Sequence, residues 1–510
     1  MADTYIGVID QGTTGTRFMV FDHGGRVVAN AYEDHEQRYP EPGWVEHDPM
    51  EIWRNATHAV DRGLRTASLD PGDLRALGIA NQRETTVVWD AETGDPVHNA
   101  IVWQDRRTTD RVERLEAEDK VEWIREKTGL EADAYFSATK VEWILDNADP
   151  LEFRDARGQN LRERAESGEL RFGTIDSWLI YNLTGEHVTD VTNASRTMLY
   201  DVRDLAWDDD LLAEFSVPRA MLPEVRPSSD EETYGTTDAD GFLGAEVPVA
   251  GALGDQQAAL FGQTCFDPGD AKNTYGTGSF LLMNTGTEAV DSDHGLLTTV
   301  GFQRSGEPVQ YALEGSIFAT GAAIQWLEDV GFVDDPTETA ELARSVDSTD
   351  GVYVVPAFTG LGAPHWDGRA RGTIVGMTRG TRREHVVRAT LESIAYQTRD
   401  VVEAMEADAG VEMGRLRVDG GAVKNDFLCQ LQADALQSGI VRPRVDETTA
   451  LGAAYAAGLA VGYWDTLDEL RANWQVDREF DPAVPAADAD ARYDRWGDAV
   501  ERSLDWAREE

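Results

Sequence analysis

Two short glycine- and threonine-bearing turns constrain this chain most. Gly12-Thr13-Thr14-Gly15-Thr16 lies in the first half and Gly276-Thr277-Gly278-Ser279 in the second, each between apolar runs. Residues 5–10 lead into the first turn and residues 18–21 leave it; residues 273–275 and 280–283 do the same for the second. Glycine lets backbone come close to a phosphate, and successive N–H groups with threonine hydroxyls can ring its oxygens. One such turn is usually only a hairpin. Two of them, one per half, point to duplicated halves closing on one nucleotide. A chain of 510 residues also exceeds one typical core, so two large domains are expected.

Charge narrows the partners. The chain carries 94 acidic and 46 basic residues, a net charge of −48, and lysine occurs only at Lys120, Lys127, Lys140, Lys272 and Lys424. The carboxylates are spread between patterned apolar segments instead of collecting in a tail. That distribution fits a halophilic protein held in solution by concentrated salt, where a Debye length of about 3 Å at 1 M suppresses self-repulsion. It argues against nucleic acid or an anionic membrane as the main partner. The two cysteines, Cys265 and Cys429, are too few for a secreted disulfide framework. No uncharged apolar run reaches about 18 residues and no signal peptide is evident, so a cytoplasmic protein is expected.

Along the chain, residues 1–30 read as a β-meander. Asp48-Pro49-Met50-Glu51 reads as a helix start, with Asp48 as N-cap, Pro49 at the first helical position and Glu51 completing a capping box. Strands are expected at 77–80 and 86–89, flanking the polar tip Asn81-Gln82-Arg83-Glu84. Helices are expected at 105–127 and 139–147, and a charged surface helix and loop at 149–170. The run 247–251 leads through a loop into a helix, and we expect the domain boundary there: 1–254 mainly substrate-binding with the first phosphate turn, 255–510 mainly nucleotide-binding. The second half repeats the plan, with strands over 271–316, a helix from about 319, a strand at 352–355, a helix at 384–406, a strand at 416–418, and helices near 426–437 and 450–461. Strands alternating with helices imply α/β domains.

A Gly-Lys dipeptide, and with it a Walker A loop, is absent, as are a His-Arg-Asp catalytic loop, a Gly-x-Gly-x-x-Gly fingerprint and a His-Glu-x-x-His zinc site. The residues themselves leave several alternatives open. Asp255, after an apolar run and a Gly-x-x-Gly turn, can be a general base at a cleft or a cap on the helix that follows. Asp10, before the first phosphate turn, can hold Mg²⁺ or make a local turn bond. Arg83 and Glu84 can bind hydroxyls or form a surface ion pair. Trp103 and Phe280 can line a site or simply fill a core.

Longer segments carry a resemblance. Asp10-Gln11-Gly12-Thr13-Thr14, Asn81-Gln82-Arg83-Glu84-Thr85-Thr86, Gly254-Asp255-Gln256-Gln257, Asn273-Thr274-Tyr275-Gly276-Thr277-Gly278 and Val418-Asp419-Gly420-Gly421-Ala422 resemble the glycerol kinases of the FGGY carbohydrate kinase family. Tyr135-Phe136-Ser137-Ala138-Thr139-Lys140-Val141-Glu142-Trp143, and the stretch from Gly372 through His385 to Glu392, are similar to that family's two signatures. The likeness runs from Tyr5 to about Ala460.

It implies two actin-like (ribonuclease H-like) ATPase domains with the active site in the cleft between them, and phosphorylation of glycerol by ATP with Mg²⁺. It further implies Asp255 as catalytic base, with Arg83, Glu84, Tyr135, Asp255 and Gln256 binding glycerol against Trp103 and Phe280. Thr13, Thr14, Gly15, Arg17, Thr277 and Gly321 would face the nucleotide phosphates, and Gln325, Gly421 and Asn425 its ribose and base. Asp10 and Asp255 would face the metal. A homodimer or homotetramer is implied as well. The rival readings are another sugar or polyol kinase of the family, such as a xylulose kinase, and a non-metabolic actin-like ATPase.

Overall fold

The computed structural model describes residues 4–148 and 160–508. Its first sheet has five strands. β1 (Tyr5–Gln11) pairs antiparallel with β2 (Gly15–Phe21), and β2 with β3 (Val27–Asp34). The helix α1 (Pro49–Ala67) follows, then β4 (Leu74–Asn81) and β5 (Val249–Gly254), both parallel to β1, giving the spatial order β5-β4-β1-β2-β3. β1 is apolar on both faces because both are covered. Ile9 joins the core under α1, while Ile6 and Val8 join a second core on the opposite side.

The second sheet repeats this arrangement. After α2 (Asp255–Gly262) come β6 (Ala271–Tyr275), β7 (Ser279–Gly286), β8 (Leu297–Phe302) and β9 (Gln310–Ile317). They are followed by α3 (Gly321–Asp329), α4 (Arg383–Ala409), β10 (Leu416–Gly420), α5 (Asp426–Leu436), β11 (Ile440–Pro443), α6 (Thr448–Ala460) and β12 (Val476–Phe480). The strand order is β8-β9-β7-β6-β10-β11-β12. Its central five strands, β9-β7-β6-β10-β11, match β3-β2-β1-β4-β5 in order and direction, so the hairpins β1–β2 and β6–β7 are equivalent elements. This is the duplication that the two turns announced.

Several local expectations change. Asp48 does cap α1, its side chain accepting from the Met50 N–H with Pro49 in the first turn. The Glu51 carboxylate accepts instead from the Glu36 N–H, so no capping box closes. The helix expected over 105–127 is two helices, Thr109–Ala117 and Val121–Thr128. β5 runs straight into α2 without a loop. Of the charged segment 149–170, residues 149–159 lie outside the described residues; Leu161–Glu166 is helical and Leu170–Gly173 is a strand. Among the described residues no helix is long and apolar enough to cross a membrane.

The two sheets meet through α2 and α6. α6, Thr-Thr-Ala-Leu-Gly-Ala-Ala-Tyr-Ala-Ala-Gly-Leu-Ala, has no polar face; it packs on β1, β4 and β5 and crosses α2, which in turn packs on β6, β7 and β8. Small side chains let the backbones touch. A Cβ on Gly452 would strike the Ala258 carbonyl oxygen, one on Gly262 the Thr448 carbonyl oxygen, and one on Gly78 the Ala453 carbonyl oxygen. Gly452→Val is therefore expected to destabilise the protein by about 3 kcal/mol, measured by urea unfolding in high salt. Gly497→Ala, where nothing lies within 4 Å of the added methyl group in the helix Ala486–Val500, is the comparison expected to be tolerated or slightly stabilising.

Candidate active site

Both glycine turns are closed by a backbone bond across the hairpin, Gly12 N–H to Gly15 O at 2.9 Å and Gly276 N–H to Gly278 O at 2.8 Å. Thr14 and Thr277 are exposed at the tips. The second turn is braced from below by α3: the Gly321 N–H donates to Gly276 O at 3.0 Å and the Ala322 N–H to Thr277 O at 2.9 Å. β10 ends beside it, Tyr275 opposite Gly420. Gly420 has φ +93°, and a Cβ there would meet the Tyr275 backbone, so this register requires glycine. Gly421 and Asn425 follow directly. Asn425 caps α5, accepting from the Phe427 and Leu428 N–H groups, and its amide reaches the Thr339 hydroxyl. Gln325 stands exposed on α3, its amide donating to Glu328 and Asp329.

The first turn rests on a buried polar network. Gln37 Nε2 donates to Thr13 O at 2.9 Å, and His47 lies between Gln37, 2.9 Å from its Oε1, and Gln82, 3.4 Å from its Nε2. The His35 ring meets the His47 ring edge to face at 4.4 Å. Burial, with His35 adding to it, pushes the His47 imidazole down to about 3. In an unfolded chain the same ring titrates near 6.5. The neutral ring's contribution is complete above about pH 6.5, and stability falls as pH drops from there toward 3, by roughly 1.4 kcal/mol per unit of depression. His47→Gln is expected to flatten stability against pH in that window, read by urea midpoints at successive pH values.

Asp10 sits opposite Arg17 across the β1–β2 hairpin. Burial pushes its carboxyl up to about 7; Arg17 opposes this, while Glu447 and Asp255 add to it. Arg17 is itself ion-paired with Glu447 and lies 5.5 Å from the Tyr32 ring centroid. Asp10 and Glu447 thus share the Arg17 guanidinium, with the Asp255 carboxylate adding negative charge nearby, an imbalance that a divalent cation would relieve. No group of three or more potential ligands is preformed among the described residues. Mg²⁺ is commonly bound by one or two carboxylates together with substrate phosphates and water, and Asp10, with Asp255 near it, offers that donor type.

Asp255 opens α2 at the carboxyl end of β5, with Gly254 as the cap position, so it is not itself the helix cap. Its Oδ1 accepts from the Gln256 N–H at 2.7 Å and lies 3.2 Å from Arg83 Nε. The side chain keeps 31 % of its surface exposed. Burial raises its carboxyl above the usual range, against the pull of Arg83 and Lys272. Gln256 accepts from Lys272, whose Nζ also reaches Thr274 Oγ1 at 3.1 Å, and β6 continues from Thr274 into the second turn. Around this centre, the Phe280 ring lies 5.7 Å from the Arg83 guanidinium, and Trp103 and Tyr135 meet edge to face at 5.5 Å. Trp103 Nε1 donates to Thr13 Oγ1 at 3.0 Å, joining the aromatic wall to the first glycine turn.

Arg83 and Glu84 are not a surface pair. Both are buried, in contact with Arg196 and Glu314, two residues that sequence reasoning passed over. Burial alone would raise the Glu314 carboxyl, but Arg196 and Arg83 hold it down to about 2. Lys140 and Lys272 were also missed; burial lowers them to about 7 and about 8. Signals existed: two of only five lysines, and a single carboxylate inside the apolar strand Gln310–Ile317.

Residues 5–262 match the N-terminal domain of the FGGY family of carbohydrate kinases, and residues 271–461 match the C-terminal domain. The chain is 77 % identical to the glycerol kinase of Haloquadratum walsbyi, with all of both chains covered. It is 75 % identical to that of Haloferax volcanii, covering 100 % of this chain and 99 % of the other. Among solved structures, Plasmodium falciparum glycerol kinase with ADP superposes with a TM-score of 0.92 at 38 % identity, covering 98 % of each chain. A xylulose kinase from Lactobacillus acidophilus shares the fold, with a TM-score of 0.85 at 20 % identity over 98 % of this chain and 97 % of that one.

Proposed function

Because the chain belongs to the FGGY family of carbohydrate kinases, we propose that it phosphorylates glycerol, moving the terminal phosphoryl group of ATP to a primary hydroxyl and giving sn-glycerol 3-phosphate and ADP. The observation that carries this reading is the Asp255 carboxylate, half-open at the seam between the two sheets, beside Arg83 and within a wall of Trp103, Tyr135 and Phe280. Arg83, Glu84, Tyr135 and Gln256 bind the hydroxyls, and the aromatic faces take the carbon backbone.

Asp255 accepts the proton of the attacking hydroxyl while that oxygen bonds to the γ-phosphorus. The bond from phosphorus to the bridging oxygen breaks, and its electron pair leaves on ADP. Thr13, Thr14, Gly15 and Arg17 on one side, and Thr277 and Gly321 on the other, face the phosphates. Gln325, Gly421 and Asn425 face the ribose and base. Asp10 and Asp255 would hold Mg²⁺, which when bound neutralises phosphate charge. Water excluded from the cleft cannot compete as acceptor. The division into a substrate lobe, 1–254, and a nucleotide lobe, 255–510, the cytoplasmic setting and a homodimeric or homotetrameric state belong to the same proposal.

The test is formation of glycerol 3-phosphate from ATP, Mg²⁺ and glycerol in concentrated KCl, across a panel of polyols and sugars. Glycerol-dependent ADP release supports the reading. Faster turnover of a pentulose overturns the substrate, and ATP hydrolysis indifferent to any acceptor overturns the kinase.

A further inference from the structure

Arg83 and Glu84 lie on the segment after β4 of the first sheet; Glu314 lies on β9 of the second; Arg196 follows the helical turn Val191–Ala194. All four side chains are at most 2 % exposed. They form a closed ring of alternating charge. Glu314 takes the Arg83 guanidinium through both oxygens, Oε2 with Nη1 and Oε1 with Nη2, the latter at 3.1 Å. Glu314 Oε1 also accepts from Arg196 Nη2 at 3.0 Å, and Arg196 Nε donates to Glu84 Oε1 at 2.7 Å. Glu84 Oε1 lies 3.9 Å from Arg83 Nε, which closes the ring.

We propose that Glu314 and Arg196 are positioning residues that fix Arg83 and Glu84 in the geometry that recognises the substrate's hydroxyls, and so tie the second sheet to the polyol site. The inference rests on the reading that this site takes glycerol. The bond count supports it. Arg83 commits Nε toward Asp255 and Nη1 to Glu314 and Gln257, with one bond from Nη2 to Glu314, so an Nη2 N–H remains for a ligand. Glu84 commits Oε1 to Arg196, so Oε2 remains as an acceptor. One donor and one acceptor, both held by second partners, are what adjacent hydroxyls of a polyol require. Without Glu314, Arg83 would turn toward the remaining carboxylates, Asp255 and Glu84, and both groups would leave that arrangement. Arg196 needs the planar fork to reach two carboxylates at once, which a lysine cannot supply.

The experiment measures KM for glycerol and for ATP in wild type, Glu314→Gln and Arg196→Lys, in concentrated KCl, with circular dichroism to verify folding. A misplacement of about 1 Å in a binding group costs on the order of 10²-fold. The expected result is a glycerol KM raised about 30-fold or more in Glu314→Gln and about tenfold in Arg196→Lys, with the ATP KM within about threefold of wild type. A purely structural role would move both constants together. Where Glu314→Gln does not fold, Arg196→Lys, which keeps the charge, carries the test. Folded variants with an unchanged glycerol KM, or with both constants raised in parallel, overturn this inference alone. A wild type without glycerol-dependent ADP release overturns the underlying reading, and this inference with it.

Discussion

Asp255→Asn is expected to reduce turnover by about 10²–10⁴-fold while glycerol still binds. The amide keeps the shape of the carboxylate and can still contact the Gln256 N–H, but it cannot take the hydroxyl proton. Asp255 stands at the first position of α2, with Gly254 in the cap position, so losing its charge leaves the helix start in place. Arg83 keeps its two bonds to Glu314, so the hydroxyl-binding side of the site persists. Steady-state assays with ADP release as readout, and calorimetric titration of glycerol, separate the two effects. Near-normal turnover would reduce Asp255 to a helix-start residue and leave the reaction without its base.

Removing salt is expected to unfold the wild-type protein. The net charge of −48 is carried largely at the surface; the side chains of Asp209, Asp210 and Asp468, for example, are 80–86 % exposed. At 1 M salt each charge is screened within about 3 Å, whereas at 0.01 M the Debye length is about 30 Å. At that range the excess carboxylates repel one another across the whole molecule, and expansion relieves the repulsion. Circular dichroism and glycerol phosphorylation should fall together as KCl is dialysed from about 2 M to 0.01 M. An unchanged melting temperature over that range would refute salt adaptation without touching the catalytic assignment.

The strands and helices that the sequence revealed were those with strong local signals. The β1–β2–β3 meander follows from apolar runs broken by glycine turns, and the start of α1 follows from Asp48 and Pro49. The second half was read in nearly correct order because it repeats the first. The helix at 105–127 was read as one, since the break around Glu118–Lys120 holds neither proline nor glycine. In the candidate site, Asp255, Arg83, Glu84 and the two turns stand out in the sequence as motifs. Arg196 and Glu314 were not, because each owes its role to partners more than 100 positions away.

The sequence by itself determined the duplication, the two glycine turns, the acidic composition and the chemical types at the centre of the candidate site. These are local or compositional properties, written in runs of neighbouring residues. Only the tertiary structure decided that Arg83 and Glu84 are buried, that Glu314 from the other sheet clamps Arg83, and that the alanine-rich helix α6 lies against the first sheet. Burial and long-range charge pairing depend on which surfaces meet after folding. A pair such as Arg83 and Glu84 looks the same in sequence whether water or a second ion pair surrounds it.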